Sequence, residues 1–206
     1  MLYAKRKSIE AAVLIGLTLA VLLSLVGFNA QCGEIRENVL RLHVLANSDT
    51  EEDQALKLRV RDRVLAAGEE IFTGASTEAE ALEAARANVD LLQAAAEAEI
   101  AQSGYAYPVR VEVGKSSFST RVYEDFTLPA GEYEAVRVLI GEAAGHNWWC
   151  VMFPAVCLPA AEEKEDFSQV LEGDTLKIVE EPARFAFRFK AVEIYEGIRD
   201  KIQSWL

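Results

Sequence analysis

Apolar and polar positions along this 206-residue chain change period several times, and each change predicts an element. The first pattern is an unbroken run: residues 11–28 carry no charge and follow Lys5, Arg6 and Lys7, the build of a secretory leader or a short membrane anchor. In residues 39–46, Leu40, Leu42 and Val44 alternate with Arg41 and His43, which predicts a strand with one buried face. Asn47-Ser48-Asp49 ends it. Ser48 with Glu51 fits a capping box, and Glu51, Glu52 and Asp53 lie where a helix dipole favours negative charge. Leu56, Val60 and Val64 then repeat every four residues, predicting a helix to Ala67. Its like-charged pairs, Lys57 with Arg61 and Arg59 with Arg63, call for acidic neighbours.

Thr77 with Glu80 opens a second helix, in which Leu82, Ala85, Val89, Leu92, Ala96 and Ile100 recur at three- and four-residue steps until Ser103-Gly104. Val109, Val111 and Val113 alternate with Arg110 and Glu112. Gly114-Lys115 reads as a turn, with Phe118, Thr120 and Val122 as the return strand of a hairpin. Residues 133–140 form another β-rich run, and Gly141-Glu142-Ala143-Ala144-Gly145 reads as a flexible hinge. Glu162-Glu163-Lys164-Glu165-Asp166 has no period and reads as a solvated loop. In residues 184–190, Phe185, Phe187 and Phe189 alternate with Arg184, Arg188 and Lys190 as in a strand. Tyr195, Ile198, Ile202 and Trp205 then mark an amphipathic helix able to lie on the sheet. No internal repeat is visible. The order of elements predicts an α+β fold: one domain with a mainly antiparallel sheet, two central helices and a C-terminal amphipathic helix, preceded by a signal or anchor segment.

Charge narrows the function. The formal net charge is −12, and since the first 31 residues carry +2, the remainder carries −14. Such a surface argues against nucleic acid, whose binding needs clustered cations to release counterions. Basic residues ahead of the apolar run place that flank in the cytoplasm and the rest outside. Residues 1–31 are therefore expected as signal peptide or membrane anchor, and 32–206 as one extracytoplasmic domain of ordinary size.

The candidate chemistry concentrates in His146-Asn147-Trp148-Trp149-Cys150-Val151-Met152-Phe153-Pro154-Ala155-Val156-Cys157, which holds two of the three tryptophans and two of the three cysteines. In an oxidising space a Cys150–Cys157 disulfide would restrain the unfolded chain by roughly 2–3 kcal/mol. A zinc pair completed from His43, His146 or Cys32, or two free thiols, remain open readings. Consecutive tryptophans in an extended segment point to opposite faces, so one is expected to be exposed, as interface anchors are. His43 reads as a surface or cap-bonded imidazole or as a partner contact. A Cys–His nucleophilic couple lacks an evident orienting third group. No Gly-x-Ser-x-Gly, His-Glu-x-x-His or phosphate loop occurs either.

The run Arg41-Leu42-His43-Val44-Leu45-Ala46-Asn47-Ser48-Asp49-Thr50-Glu51-Glu52-Asp53-Gln54-Ala55-Leu56-Lys57-Leu58-Arg59-Val60-Arg61-Asp62 resembles the signature of the stage II sporulation protein R family. Asn147-Trp148-Trp149-Cys150-Val151-Met152-Phe153-Pro154 resembles its second signature, with Ala155 where the family pattern has another proline. The resemblance implies a protein made in the forespore and exported to the space facing the mother cell. There it would trigger a membrane-embedded aspartic protease that processes the precursor of the early mother-cell sigma factor. It implies no catalysis by the chain itself and no cofactor, metal or small-molecule substrate. The expected contacts with that partner are His43, Asn47, Asp49, Asp53, Trp148 and Trp149, with Cys150 and Cys157 holding the loop. The alternatives are an exported cysteine-dependent hydrolase and a structural membrane-anchored domain.

Overall fold

The computed structural model describes residues 2–123, 125–156, 166–203 and 205, with side chains described for Ile9 onward except Ala11. In chain order the elements are α1 (Leu2–Glu37), β1 (Leu40–Leu45), α2 (Glu51–Phe72), α3 (Glu78–Ala87), α4 (Val89–Gln102), β2 (Val109–Phe118), β3 (Arg121–Val122), β4 (Thr127–Leu128), β5 (Gly131–Ile140), β6 (Asn147–Phe153), α5 (Gly173–Glu180) and α6 (Ala186–Gln203). Short 3-10 turns at Phe167–Gln169 and Pro182–Phe185 flank α5.

Four strands make the main sheet in the order β2-β5-β1-β6, with β1 parallel to β5 and the other two pairings antiparallel. One face packs on α2, α3 and α4 through Leu40, Leu42, Val44, Leu56, Val60 and Leu92. The other meets the distal part of α1 together with α5 and α6, through Phe28, Cys32, Ile35, Tyr133, Val151 and Phe189. The expected α+β domain with a mainly antiparallel sheet and an apolar N-terminal helix is thus what the chain forms.

The first half of β1, from Leu40 to Leu42, is covered on both faces, not one. Arg41, expected at a polar surface position, is 0% exposed, its guanidinium 4.1 Å from the centre of the Phe118 ring and 4.9 Å from that of Tyr133. Its Nη2 donates to the Tyr123 hydroxyl at 2.6 Å. Among the described residues, aromatic faces and one hydroxyl stand where a buried cation usually has a carboxylate.

Five further expectations are corrected. The α2 cap is Thr50, whose Oγ1 accepts from the Asp53 amide at 3.3 Å, because the Ser48 hydroxyl is engaged by the Asp53 carboxylate at 2.6 Å. The second helix keeps its Thr77 cap but divides at Asn88 into α3 and α4. There is no hairpin at Gly114-Lys115: β2 runs straight through, because all ten of its residues pair with β5, from Val109 opposite Ile140 to Phe118 opposite Gly131. Residues 184–190 are helical, so that Phe185 and Phe189, four apart, share one face over Phe28 at ring separations of 5.7 and 5.6 Å, while Phe187 turns outward. α6 packs on α1, leaving Tyr195, Ile198, Ile202 and Trp205 exposed where a contact with the sheet was expected.

Candidate interaction surface

Alternation along the strands sets out the surface. Leu42 and Val44 enter the α2–α4 core, so His43 and Leu45 share the opposite face, where β6 places Trp149 beside His43 and Asn147 beside Leu45. β5 brings Arg137 to the other side of His43, and β2 brings Glu112 beside Arg137. The buried cluster under α1 takes up Val39, Tyr133, Ala135 and Val151 from the near half of this face. The far half, with His43, Leu45, Glu112, Arg137, Leu139, Asn147 and Trp149, is only half-buried.

His43 and Trp149 form one unit. Their rings stack at 5.6 Å with 13° between planes, and the Arg121 guanidinium lies 3.4 Å from the centre of the Trp149 ring. A contact of this kind contributes about 0.5–1 kcal/mol at an exposed site and about 2 kcal/mol when desolvated. His43 Nε2 meets Asn147 Oδ1 at 2.8 Å, an oxygen that can only accept, so Nε2 carries the proton. Nδ1 is buried without a hydrogen-bond partner among the described residues. Burial holds the imidazole pKa below its ordinary value; the Asn147 bond opposes this, and nearby Arg137 and Arg41 add to it. The ring is therefore neutral around pH 7, and the positive charge beside Trp149 comes from Arg121. Arg137 joins Glu112 at 3.1 Å across β5 and β2.

Trp148 points the other way, toward the α2–α4 core, with the Arg61 guanidinium 4.4 Å from its ring centre. The expectation that consecutive tryptophans face opposite sides is met. The expectation that one stands exposed is not, since both are half-buried. Only Trp149 joins His43.

Asn47, Asp49 and Asp53 make a clasp at the end of β1. Asn47 Nδ2 donates to Asp53 Oδ2 at 2.8 Å, and its Oδ1 accepts from the Glu142 amide at 3.0 Å. Asp49 Oδ1 accepts from the His146 amide at 2.6 Å and also meets the His146 ring. Lys57, buried on α2, donates to Gln54 Oε1 at 2.5 Å and to the His146 carbonyl at 3.0 Å. Hydrogen bonds hold both carboxyls below the usual carboxylate range, from His146 at Asp49 and chiefly from Ser48 at Asp53. The segment read as a hinge is fastened here. A side chain on Gly141 would collide with Asn47 and one on Gly145 with the Ser48 carbonyl, and Gly141 has φ +57°, so both positions need glycine. The clasp fixes where β6, and with it Trp149, leaves the loop.

Both described cysteines, Cys32 and Cys150, are buried, whereas a nucleophilic thiol must be reachable by substrate. Cys157, the expected partner of Cys150, lies outside the described residues, as does residues 162–165 of the acidic run. Sequence reading had not singled out Arg121, Arg137 or Asn147. Asn147 and Arg137 become visible once His43 is known to sit opposite Trp149 and Arg137; Arg121, on the short strand β3, carried no signal.

Among the described residues one helix, over Ala12–Glu37, is long and apolar enough to cross a membrane, as a signal sequence near an N-terminus also is. The family model described as Stage II sporulation protein R matches residues 36–163. Stage II sporulation protein R of Bacillus subtilis (strain 168) is 34% identical over 168 residues, 77% of this chain and 73% of that protein. No solved structure matches the chain.

Proposed function

The chain belongs to the stage II sporulation protein R family, and from that premise we propose that it is an exported signal that activates a membrane-embedded aspartic protease, which then processes the precursor of the early mother-cell sigma factor. The chain performs no covalent chemistry in this reading; it acts by being bound. A binder shifts a receptor only by the difference in its affinity for the active and inactive states. Driving a receptor from 1:99 to 99:1 takes about a 10⁴-fold preference, or about 5.5 kcal/mol.

The observation that carries the proposal is the half-buried part of the sheet face, where Trp149 is held by stacked His43 and by Arg121. A fixed, amphipathic ring with a cation beside it loses little entropy on docking and is the type of group that dominates interface energetics. The clasp of Asn47, Asp49 and Asp53 positions this face from behind. The Cys150–Cys157 disulfide, which belongs to the same proposal, would hold the segment that follows it.

The test is co-reconstitution of the full chain with the protease and its precursor substrate in one membrane. Trp149→Ala is expected to abolish or strongly reduce processing while secretion and thermal unfolding stay near those of the unsubstituted chain. Trp148→Ala is expected to lower stability instead, with processing retained per folded molecule. Undiminished processing by Trp149→Ala would remove this face from the contact.

A further inference from the structure

The apolar residues of α6 fall on two adjacent faces. Phe189 and Val192 point into the cluster around Phe28. Phe187, Ile194, Tyr195, Ile198 and Ile202 fall on a second stripe spanning about 100° of the helical wheel and are all exposed, as is Trp205 just past the end of the helix, at 90%. An apolar strip of this size on a water-soluble surface signals a contact.

What covers it follows from its surroundings. Leu22, Leu25 and Val26 of α1 and Ala191, Val192 and Tyr195 of α6 line a shared cavity of about 350 Å³, with Asn29 as its one polar wall. The exposed apolar surface of α1, which includes Val13, Leu14, Leu17, Val21, Leu22 and Val26, therefore continues onto the α6 stripe. A helix with that surface meets lipid hydrocarbon when it crosses a bilayer. The lipid that receives Leu22 and Val26 then also reaches Tyr195 and its neighbours.

We propose that α6 is a second membrane contact: an interfacial helix whose Phe187-to-Ile202 stripe, with Trp205 just beyond it, rests on the outer leaflet of the bilayer that α1 enters. Tyr195 and Trp205 suit that depth, since their rings combine an apolar body with a polar edge. Two contacts, one through α1 and one along α6, stop the domain from turning freely about its anchor and so give the Trp149 face a set direction. The inference goes beyond the proposed signalling role and rests on α1 being held in a membrane.

The test uses the full chain in vesicles of phosphatidylethanolamine and phosphatidylglycerol, with Tyr195→Trp as probe and the unsubstituted chain subtracted. Nitroxide lipids labelled near the headgroup are expected to remove most of the added emission and aqueous iodide little of it, independently of protein density. Ile198→Asp in the same background is expected to reverse that pattern, and its exposed position leaves the core intact. Ready quenching by iodide with no effect of the nitroxide lipids overturns the proposal. So does protection that grows with protein density, which assigns the stripe to a second copy of the chain, and so does release of the chain by alkaline carbonate, which takes α1 out of the bilayer. Precursor processing is not read here, so this inference and the signalling role can fail separately.

Discussion

At the residue scale, His43 shows how a position read as polar acquires a role from its neighbours. The imidazole is stacked on Trp149, hydrogen-bonded to Asn147 and kept neutral chiefly by burial. The unfolded chain takes up a proton at the ordinary value of 6.5, whereas the folded chain does so only at lower pH. Between those values the unfolded state binds more protons, so the His43 contribution to stability is complete above about pH 6.5 and declines as pH falls through that window. Asp49 and Asp53, with depressed values, keep their contributions until pH falls below about 3.8. Thermal unfolding of His43→Gln is therefore expected to fall less between pH 7 and 5 than that of the unsubstituted chain; parallel curves would show that the imidazole is not buried as described. His43 and Trp149 were legible in the sequence as candidates, but their partnership was not, because cross-strand register is invisible to a pattern that runs along one strand. Asn47, Asp49 and Asp53 were legible as a corner, and the structure gives that corner a fastening job.

At the element scale, α1 is one helix with two environments. From Ile9 to Val26 its large apolar side chains are exposed, apart from half-buried Leu25, and from Phe28 onward they are buried in the cluster shared with α5 and α6. The apolar run announced the helix, but not that its far end is part of the domain core: the helix continues unbroken across residue 31. Phe28→Ala is expected to destabilise the folded domain by about 3–5 kcal/mol, the cost of a large cavity. Leu14→Ala, on the exposed stretch, is expected to leave it nearly unchanged, and chemical unfolding of both in detergent would separate the two environments. β2 and α6 show how local period misleads. Alternation around Gly114-Lys115 suited a hairpin, but β5 offers β2 ten residues of pairing, which a short return strand cannot match. Alternating phenylalanines suited a strand, but positions 185 and 189 also share a helical face, and Phe28 rewards that choice.

At the scale of the whole molecule, the apolar segment and the domain stabilise each other. A chain lacking residues 1–31 loses Phe28 with its stacking on Phe185 and its edge contact with Phe189, so it is expected to unfold at a lower denaturant concentration than the full chain, by an amount comparable to that of Phe28→Ala. Equal midpoints would show that the core closes without α1. By itself the sequence determined the α+β class, the apolar N-terminal helix, the first strand and the helix after it, and the family, because each depends on residues close together in the chain: their period or their consecutive signature. Tertiary structure alone decided that β1 lies between β5 and β6, that Arg41 is buried among aromatic rings, that Trp148 and Trp149 serve different faces, and that α6 packs against α1. Those outcomes depend on which distant segment offers the larger buried area or the better-matched hydrogen-bond ladder. That comparison is made only when the whole chain is folded.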